Sequence, residues 1–395
     1  ETGFVLQELN GAIRHLKEWM RPKRVKTPLI SQPARSEIIY TPLGVNLIIS
    51  PFNYPVGLTF SPLIAAIAAG NTAVVKTSEL TPECGAQTRN LIEELFDREY
   101  VAYVPGAIKE AQMLLEQKFD HIFFTGSTRV GSIVMKAAAE HLTPVTLELG
   151  GKSPCVVHSD ARLVVAVDRI IMGKYMNAGQ TCVAPDYALV HEQVKDRFLD
   201  IMKKRLRARY GQDPSESPDY GRIVSDKHFD RILGLIMPDK VITGGEYDKG
   251  DRYIAPTVMR DVTLEDKVMS EEIFGPILPV MGYRDIDEVF KVVSELPRHP
   301  LSFYVFSESR EVQDRLVYGI QFGGGCVNHC VMHLVNDNLP FGGVGDSGMG
   351  SYHGIYGFRR FSHSKSVLRS WSRPNIPLGY PPYEGKLGIV RRLLG

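Results

Sequence analysis

From Val45 to Glu148 the chain alternates between short apolar runs and stretches whose apolar residues recur at helical spacing, and this constrains the fold more than any other feature. Val45 to Ile49, Thr72 to Lys76, Val101 to Val104, His121 to Phe124 and Val145 to Leu147 read as strands. Between them, Pro55 to Ala69, Pro82 to Phe96, Ile108 to Gln117 and Val130 to His141 read as helices. Parallel strands need crossover connections, usually helical, so the pattern predicts an α/β fold built on a doubly wound parallel sheet. After Gly150-Gly151 the same grammar resumes, with Pro154 to Val157, Tyr187 to Val190, Ile277 to Met281, Ser302 to Phe306 and Gly325 to Asn328 as strands of a second α/β lobe. A chain of 395 residues is too long for one simple core, which agrees with two lobes. Phe4 to Met20 reads as a helix already under way, so the expectation is that a natural N-terminal segment is missing. Residues 21–44 and 365–395 stand outside the alternation and are expected to pair as a small β arm for oligomerisation.

Lys plus Arg total 46 against 45 for Asp plus Glu, so the surface as a whole has no field to gather nucleic acid or an anionic membrane. Partners must be recognised locally. The five cysteines (Cys84, Cys155, Cys182, Cys326 and Cys330) include no C-x-x-C pair, which argues against a disulfide framework or a metal knuckle and for a reducing, cytoplasmic setting. The longest apolar run, Leu63 to Ala69, is far short of the roughly 20 residues that cross a bilayer. The final segment, Lys386 to Gly395, is basic and apolar, and it admits three readings: a surface helix, a partner contact, or the approach to a removed membrane anchor.

Four short segments carry side chains suited to chemistry. Phe119 to Gly131 runs from a strand through Gly126-Ser127-Thr128 into a helix, and a helix start with free N–H groups suits a pyrophosphate. The same turn also reads as an ordinary N-cap, and its spacing matches neither G-x-G-x-x-G nor a Walker loop. In Asn177-Ala-Gly-Gln-Thr-Cys182 a cysteine sits in a polar turn after a helix, where a nucleophilic thiol and a free packing cysteine are both tenable; Cys155 and Cys326, in apolar strands, read as packing. Glu148 stands at a strand end before Gly150-Gly151, either as a general base with its pKa raised by apolar surroundings or as an edge carboxylate facing water. Asn53, in Ser50-Pro-Phe-Asn-Tyr-Pro55, is either a turn former or an amide donor at the ligand-gathering edge of the sheet.

Together and in this order, these segments resemble one family, aldehyde dehydrogenase. Asn53 in Asn-Tyr-Pro, Lys76 and Glu79 in Lys-Thr-Ser-Glu, Gly126 to Gly131, Glu148 in Leu-Glu-Leu-Gly-Gly-Lys, Cys182 in Gly-Gln-Thr-Cys, Glu272 and Phe274 in Glu-Glu-Ile-Phe-Gly-Pro, and Pro340-Phe-Gly-Gly343 match its pattern across nearly the whole chain. His141 to Pro154, Gly179 to Tyr187 and Gly348 to Gly354 look like the class 3 branch, which includes fatty and aromatic aldehyde enzymes.

The resemblance implies that Cys182 attacks the aldehyde, that Asn53 and the Cys182 backbone N–H hold the oxyanion, and that Glu148 activates the water that cleaves the thioester. It implies a cofactor site in which Gly126, Ser127 and Gly131 serve the pyrophosphate segment, Lys76 and Glu79 the adenosine ribose, and Glu272 and Phe274 the nicotinamide end. NAD is the expected cofactor, since Glu79 near the ribose 2′ position repels a phosphate, with NADP also accepted within the class 3 branch. No metal is implied. The division that follows is 1–20 with 45–148 for cofactor binding, 149–345 for catalysis, and 21–44 with 365–395 as arm and tail. A homodimer is expected, with membrane association if the natural C-terminus continues into an anchor. Phe52 replaces the more usual Trp before Asn53, Asp346 stands where an uncharged residue is common, and His329 and His333 read as loop residues. Two rivals remain: a CoA-acylating enzyme, which retention of Glu148 disfavours, and a catalytically silent relative, which retention of Cys182 and Glu148 disfavours.

Overall fold

The computed structural model describes residues 1–296, 299–375 and 377–394. Its first sheet has six strands in the order Gly348–Met349, Val145–Glu148, His121–Thr125, Val45–Ile49, Thr72–Lys76, Val101–Tyr103, all parallel except the first. These strands are apolar on both faces because helices cover both: Leu47, Ile49, Ile122 and Phe124 pack toward Val134 and Ala138, while Ile48, Val75 and Phe123 face the larger core. The connecting helices are Gly57–Ala68, Pro82–Leu95, Ile108–Leu115 and Thr128–Glu140. From Val45–Ile49 the chain winds outward one way through Thr72–Lys76, then returns to the other side through His121–Thr125. The order therefore reverses between Val45–Ile49 and His121–Thr125, and a crevice opens at their C-terminal ends.

The second sheet has seven strands in the order Val241–Thr243, Thr257–Met259, Ile277–Tyr283, Tyr187–His191, Pro154–Val157, Ser302–Phe306, Gly324–Val327, parallel except at Val241–Thr243. Val241–Thr243 and Thr257–Met259 were not legible as strands, being three residues each and held in place by their neighbours. The small hairpin Tyr247–Asp248 with Tyr253–Ile254 escaped for the same reason.

Two further observations bear on the sequence reading. Ala34–Pro42 lies between Lys23–Val25 and Ser362–Ser370 in a separate three-stranded antiparallel sheet. The first helix spans Thr2–Trp19 and packs on Gly57–Ala68, and the chain ends in a helix Leu387–Leu394 whose Leu387 and Ile389 are exposed; Gly395 lies outside the described residues. Among the described residues, no helix is long and apolar enough to cross a membrane.

The site owes its position to how the two sheets meet. Asn53, Gly126 and Glu148 follow or end strands of the first sheet, whereas Lys152, Cys182 and Glu272 precede strands of the second. The C-terminal edge of one sheet thus faces the N-terminal edge of the other.

Candidate active site

A cavity of about 380 Å³ lies at this junction, and Asn53, Glu148 and Cys182 all line it. Three parts of the chain separated by up to 129 positions are brought to one cavity.

Cys182 is presented by a backbone few residues tolerate. After the helix Leu163–Tyr175, Asn177, Ala178 and Gly179 take φ of 53°, 51° and 74°. Left-handed conformation costs a residue with a Cβ about 1–2 kcal/mol, and the surroundings must hold it. They do so through Gln180, whose amide nitrogen donates to the carbonyls of Asn177 (3.1 Å) and Arg222 (2.9 Å) while its oxygen accepts from the Val224 N–H (3.0 Å). At Gly179 a Cβ would fall 2.2 Å from the Gly275 carbonyl oxygen, so only glycine fits.

The Asn53 turn is bonded to this one. Asn53 Nδ2 donates to the Gln180 carbonyl at 3.0 Å, Asn177 Nδ2 donates to the Asn53 carbonyl at 2.8 Å, and the hydroxyls of Tyr54 and Thr181 meet at 2.7 Å. Asn53 is buried, and its amide is fixed before any ligand arrives.

Glu148 faces no water. Its strand would be the sheet's edge, but Gly348–Met349 pairs against it in antiparallel register, Gly348 opposite Glu148, and leaves the residue 2% exposed. Neither carboxylate oxygen has a hydrogen-bond partner in the structure. Burial drives its pKa well above the usual carboxylate range, with only the Arg360 guanidinium opposing. Burial, then the carboxylates of Glu272 and Glu148, push the Cys182 thiol up to about 12, against a pull from the backbone N–H groups of Cys182 and Val183. A thiol so shifted keeps its proton at neutral pH.

The same cavity carries groups that suit a dinucleotide. Gly126 and Ser127 line the cavity where the helix Thr128–Glu140 begins, and Ser127 caps that helix by accepting from the Val130 N–H at 3.4 Å. A side chain on Gly126 would meet the Phe124 ring at 2.6 Å, so the turn packs over that ring as glycine. Glu272 and Phe274 also line the cavity. The Glu272 carboxylate packs so closely on Gly150 that a Cβ there would lie 2.0 Å from it, and burial followed by the Asp186 charge lifts its pKa to about 8. Phe274 has φ of 48°, and its ring meets the edge of Phe52 at 5.8 Å. A helix N-terminus for a pyrophosphate, a carboxylate for ribose hydroxyls and an aromatic wall for a flat ring are the groups such a cofactor needs.

Three of the residues singled out from sequence do not line the cavity. Gly131 faces Leu149, where a Cβ would come within 2.6 Å of Cδ2, so it lets the helix pack close to the loop after Glu148. Lys76 is paired with Ile49 in register, at the same strand edge but further along the sheet, and its buried ammonium donates to the carbonyls of Thr77 and Gly106, both at 3.0 Å. Glu79 lies 3.9 Å from that ammonium.

Conversely, His228 and Arg231 line the cavity without having been read from sequence. His228 packs on Phe52 with ring centres 5.3 Å apart, and Arg231 donates to the carbonyls of Glu272 (3.3 Å) and Ile273 (2.7 Å). Both sit on the helix Asp226–Leu233, remote in sequence from the other site residues, so only tertiary packing reveals them. Tyr54 and Lys152 lie within the Asn-Tyr-Pro and Leu-Glu-Leu-Gly-Gly-Lys segments, but their contacts come from distant parts of the chain.

Comparison with known proteins agrees with this geometry. The family model described as aldehyde dehydrogenase family matches residues 3–367. A 4,4'-diaponeurosporen-aldehyde dehydrogenase from Staphylococcus aureus is 49% identical over 393 residues, covering 99% of this chain and 85% of that protein. Aldehyde dehydrogenase family 3 member H1 of Arabidopsis thaliana is 46% identical over 400 residues, covering 100% and 82%. Among solved structures, the substrate-bound state of Staphylococcus aureus AldH superposes with a TM-score of 0.97 at 48% identity, covering 100% of this chain and 86% of that one. The matches include both NAD-dependent and NADP-preferring enzymes. With fold, sequence and strand-end architecture in accord along its length, the chain belongs to the aldehyde dehydrogenase family.

Proposed function

We propose that Cys182 is the nucleophile, that the Asn53 amide and the Cys182 main-chain N–H receive the oxyanion, and that Glu148 is the general base in the oxidation of an aldehyde to its carboxylic acid. The observation that carries this reading is that a thiol, an amide and an unpartnered carboxylate line one cavity. The sulfur bonds to the carbonyl carbon as the C=O π pair moves onto oxygen, and the thiol proton passes to solvent water. Asn53 has two amide hydrogens, of which Gln180 engages one, so the second is free for the new oxyanion. A donor so placed contributes about 3 kcal/mol to the transition state. A nicotinamide cofactor supplies the hydride acceptor when bound. Loss of hydride from the carbon leaves a thioester on Cys182; Glu148 takes a proton from water as the water oxygen attacks, the C–S bond breaks, and the acid departs as the thiol is restored.

In the same reading, Gly126, Ser127 and the helix start behind them hold the pyrophosphate, Glu272 holds the nicotinamide ribose with Phe274 beside the ring, and Lys76 and Glu79 hold the adenosine ribose. NAD is favoured and NADP accepted. Phe52, Leu58 and Phe274 give the cavity an apolar wall, which supports a medium- or long-chain aliphatic or an aromatic aldehyde; the relative named for 4,4'-diaponeurosporen aldehyde fits that class. Residues 1–20 and 45–148 serve the cofactor, 149–345 the chemistry, and 21–44 with 365–395 join subunits of a homodimer in the cytoplasm, the C-terminal helix contacting a membrane if the natural chain continues into an anchor. The test is incubation with NAD and a medium-chain aldehyde: reduced cofactor and free acid should form without CoA. A strict need for CoA would assign the acylating reaction, and no reduction with any aldehyde would assign a silent relative.

A further inference from the structure

We propose that the buried ion pair Lys152–Asp186 is a positioning element that sets the Glu272 carboxylate against the cofactor, locking three site loops into one register. This rests on the assignment of Glu272 to the nicotinamide ribose.

Lys152 stands four residues after Glu148, and Asp186 four residues after Cys182. Their side chains are 1% and 5% exposed and meet at 2.5 Å. The other two donors of the Lys152 ammonium go to the carbonyls of Glu271 (2.9 Å) and Val268 (3.2 Å), and the second Asp186 oxygen accepts from the Ile273 N–H (3.0 Å). Glu272 is thus clamped by its two chain neighbours, one held by each member of the pair. Asp186 is also tied to the Lys152 loop through its own N–H, which donates to the Ser153 carbonyl at 2.8 Å.

Stability alone gives no reason for such a pair. Removing two charges from water costs about what their attraction returns, and apolar replacements of similar volume are often as stable. What a fully satisfied ionic node supplies is a fixed position. Glu272 needs one, because its carboxylate reaches over Gly150, where there is no side chain to steer it. The Cys182 turn does not depend on the node in the same way, having separate anchors from Asn53, Tyr54 and Gln180. The Glu272 segment, which Arg231 also holds at the carbonyls of Glu272 and Ile273, is bonded to the node on both sides of Glu272. Disturbing Lys152 and Asp186 should therefore move Glu272 more than Cys182.

The experiment uses the full chain carrying Lys152→Met with Asp186→Asn, which removes both charges together, and Glu272→Gln as the reference. Three quantities are read: the Kd for NADH from its fluorescence, the single-turnover rate of cofactor reduction, and the rate of Cys182 alkylation by iodoacetamide without cofactor. The expected result is a rise in Kd of about tenfold, as for supporting groups behind other bound ligands. Cofactor reduction should slow by about 10- to 100-fold, the cost of a misplaced group, while Cys182 alkylation does not fall, since displacing the Glu272 carboxylate can only ease the charge that holds the thiol up. A folded double variant with unaltered NADH affinity and reduction rate overturns the proposal, as does alkylation falling in step with cofactor binding, since that would be general loosening. If Glu272→Gln itself leaves NADH binding unaltered, the assignment of Glu272 fails first. If Glu272→Gln weakens binding and the double variant does not, only the positioning role fails. Should the double variant not fold, Asp186→Asn alone keeps the shape and the acceptor for Ile273, and the same readouts decide.

Discussion

The hydroxyls of Tyr54 and Thr181 share a hydrogen bond of 2.7 Å, one residue along from Asn53 on one side and one residue short of Cys182 on the other. With the Asn53 to Gln180 bond beside it, this contact makes the distance between amide and thiol a property of the folded protein. Burial pushes the Tyr54 phenol up to about 12, so the hydroxyl stays protonated and the bridge persists across the working pH range. Tyr54→Phe and Thr181→Val each remove one partner and keep the shape. Each is expected to lower kcat by about tenfold through looser placement of the oxyanion donor, with a loss of about 1–3 kcal/mol in folding stability from the hydroxyl left unpaired. Steady-state kinetics beside thermal melts check this, and wild-type kcat in both variants would show that the bridge positions nothing.

Asn53→Ala removes the amide itself. The expected loss is about 100- to 1000-fold in kcat, as for deletion of one oxyanion donor elsewhere. Substrate affinity should move far less, because the charge being stabilised exists only in the transition state. A variant altered in KM alone would place Asn53 in binding and not in catalysis.

Cys182→Ala should abolish turnover, whereas Glu148→Gln should still give one rapid equivalent of reduced cofactor followed by slow release of acid. Mixing enzyme with excess aldehyde and following absorbance separates the two phases. An unchanged steady-state rate in Glu148→Gln would end the case for Glu148 as the deacylating base.

With its thiol pushed up to about 12, Cys182 is a protonated group at neutral pH, and only the thiolate is alkylated. Without cofactor, the iodoacetamide rate at Cys182 should climb about tenfold per pH unit between pH 7 and 9, because the thiolate fraction does so anywhere below the pKa. A plateau inside that range, followed by mass spectrometry of the modified peptide, would mean the sulfur is already ionised.

Glu8 offers a test remote from the cavity. Burial, with Asp337 adding to it, lifts its pKa from 4.5 to about 7, while bonds from Ser61 and the Gly354 backbone pull the other way. A carboxyl with a raised folded-state pKa contributes stability that is full below its unfolded value and is lost as pH rises through the folded one. The window therefore runs from about pH 4.5 to 7. At about 1.4 kcal/mol per unit, the full effect is roughly 3 kcal/mol. Glu8→Gln should melt higher than the wild type at pH 8 and lose that advantage at pH 4.5. Parallel melting curves at both pH values would place Glu8 in water.

The local code of this chain determined its alternation of elements and the pieces of its chemistry. Strands such as Thr72–Lys76 and Pro154–Val157 could be bounded to the residue, because β-branched apolar runs between glycines and helix starts are decided by near neighbours. Asn53, Glu148 and Cys182 stand out locally only as candidates, each a reactive type in a turn or at a strand end with a packing, turn-forming or solvent-facing reading beside it, and their proposed roles come with the family resemblance. Whether Glu148 met water could not be read there, since the strand that buries it comes 200 positions later. Nor could the place of Lys152, His228 or Arg231, whose partners are all distant in sequence. The placement of Gly131, Lys76 and Glu79 outside the cavity was equally hidden, because a motif fixes which residues follow one another and not which way they point. Hydrogen bonding and turn propensity act over a few residues and leave their mark in the sequence. Burial, charge and the register between two sheets sum over the whole chain, and only the folded structure carries that sum.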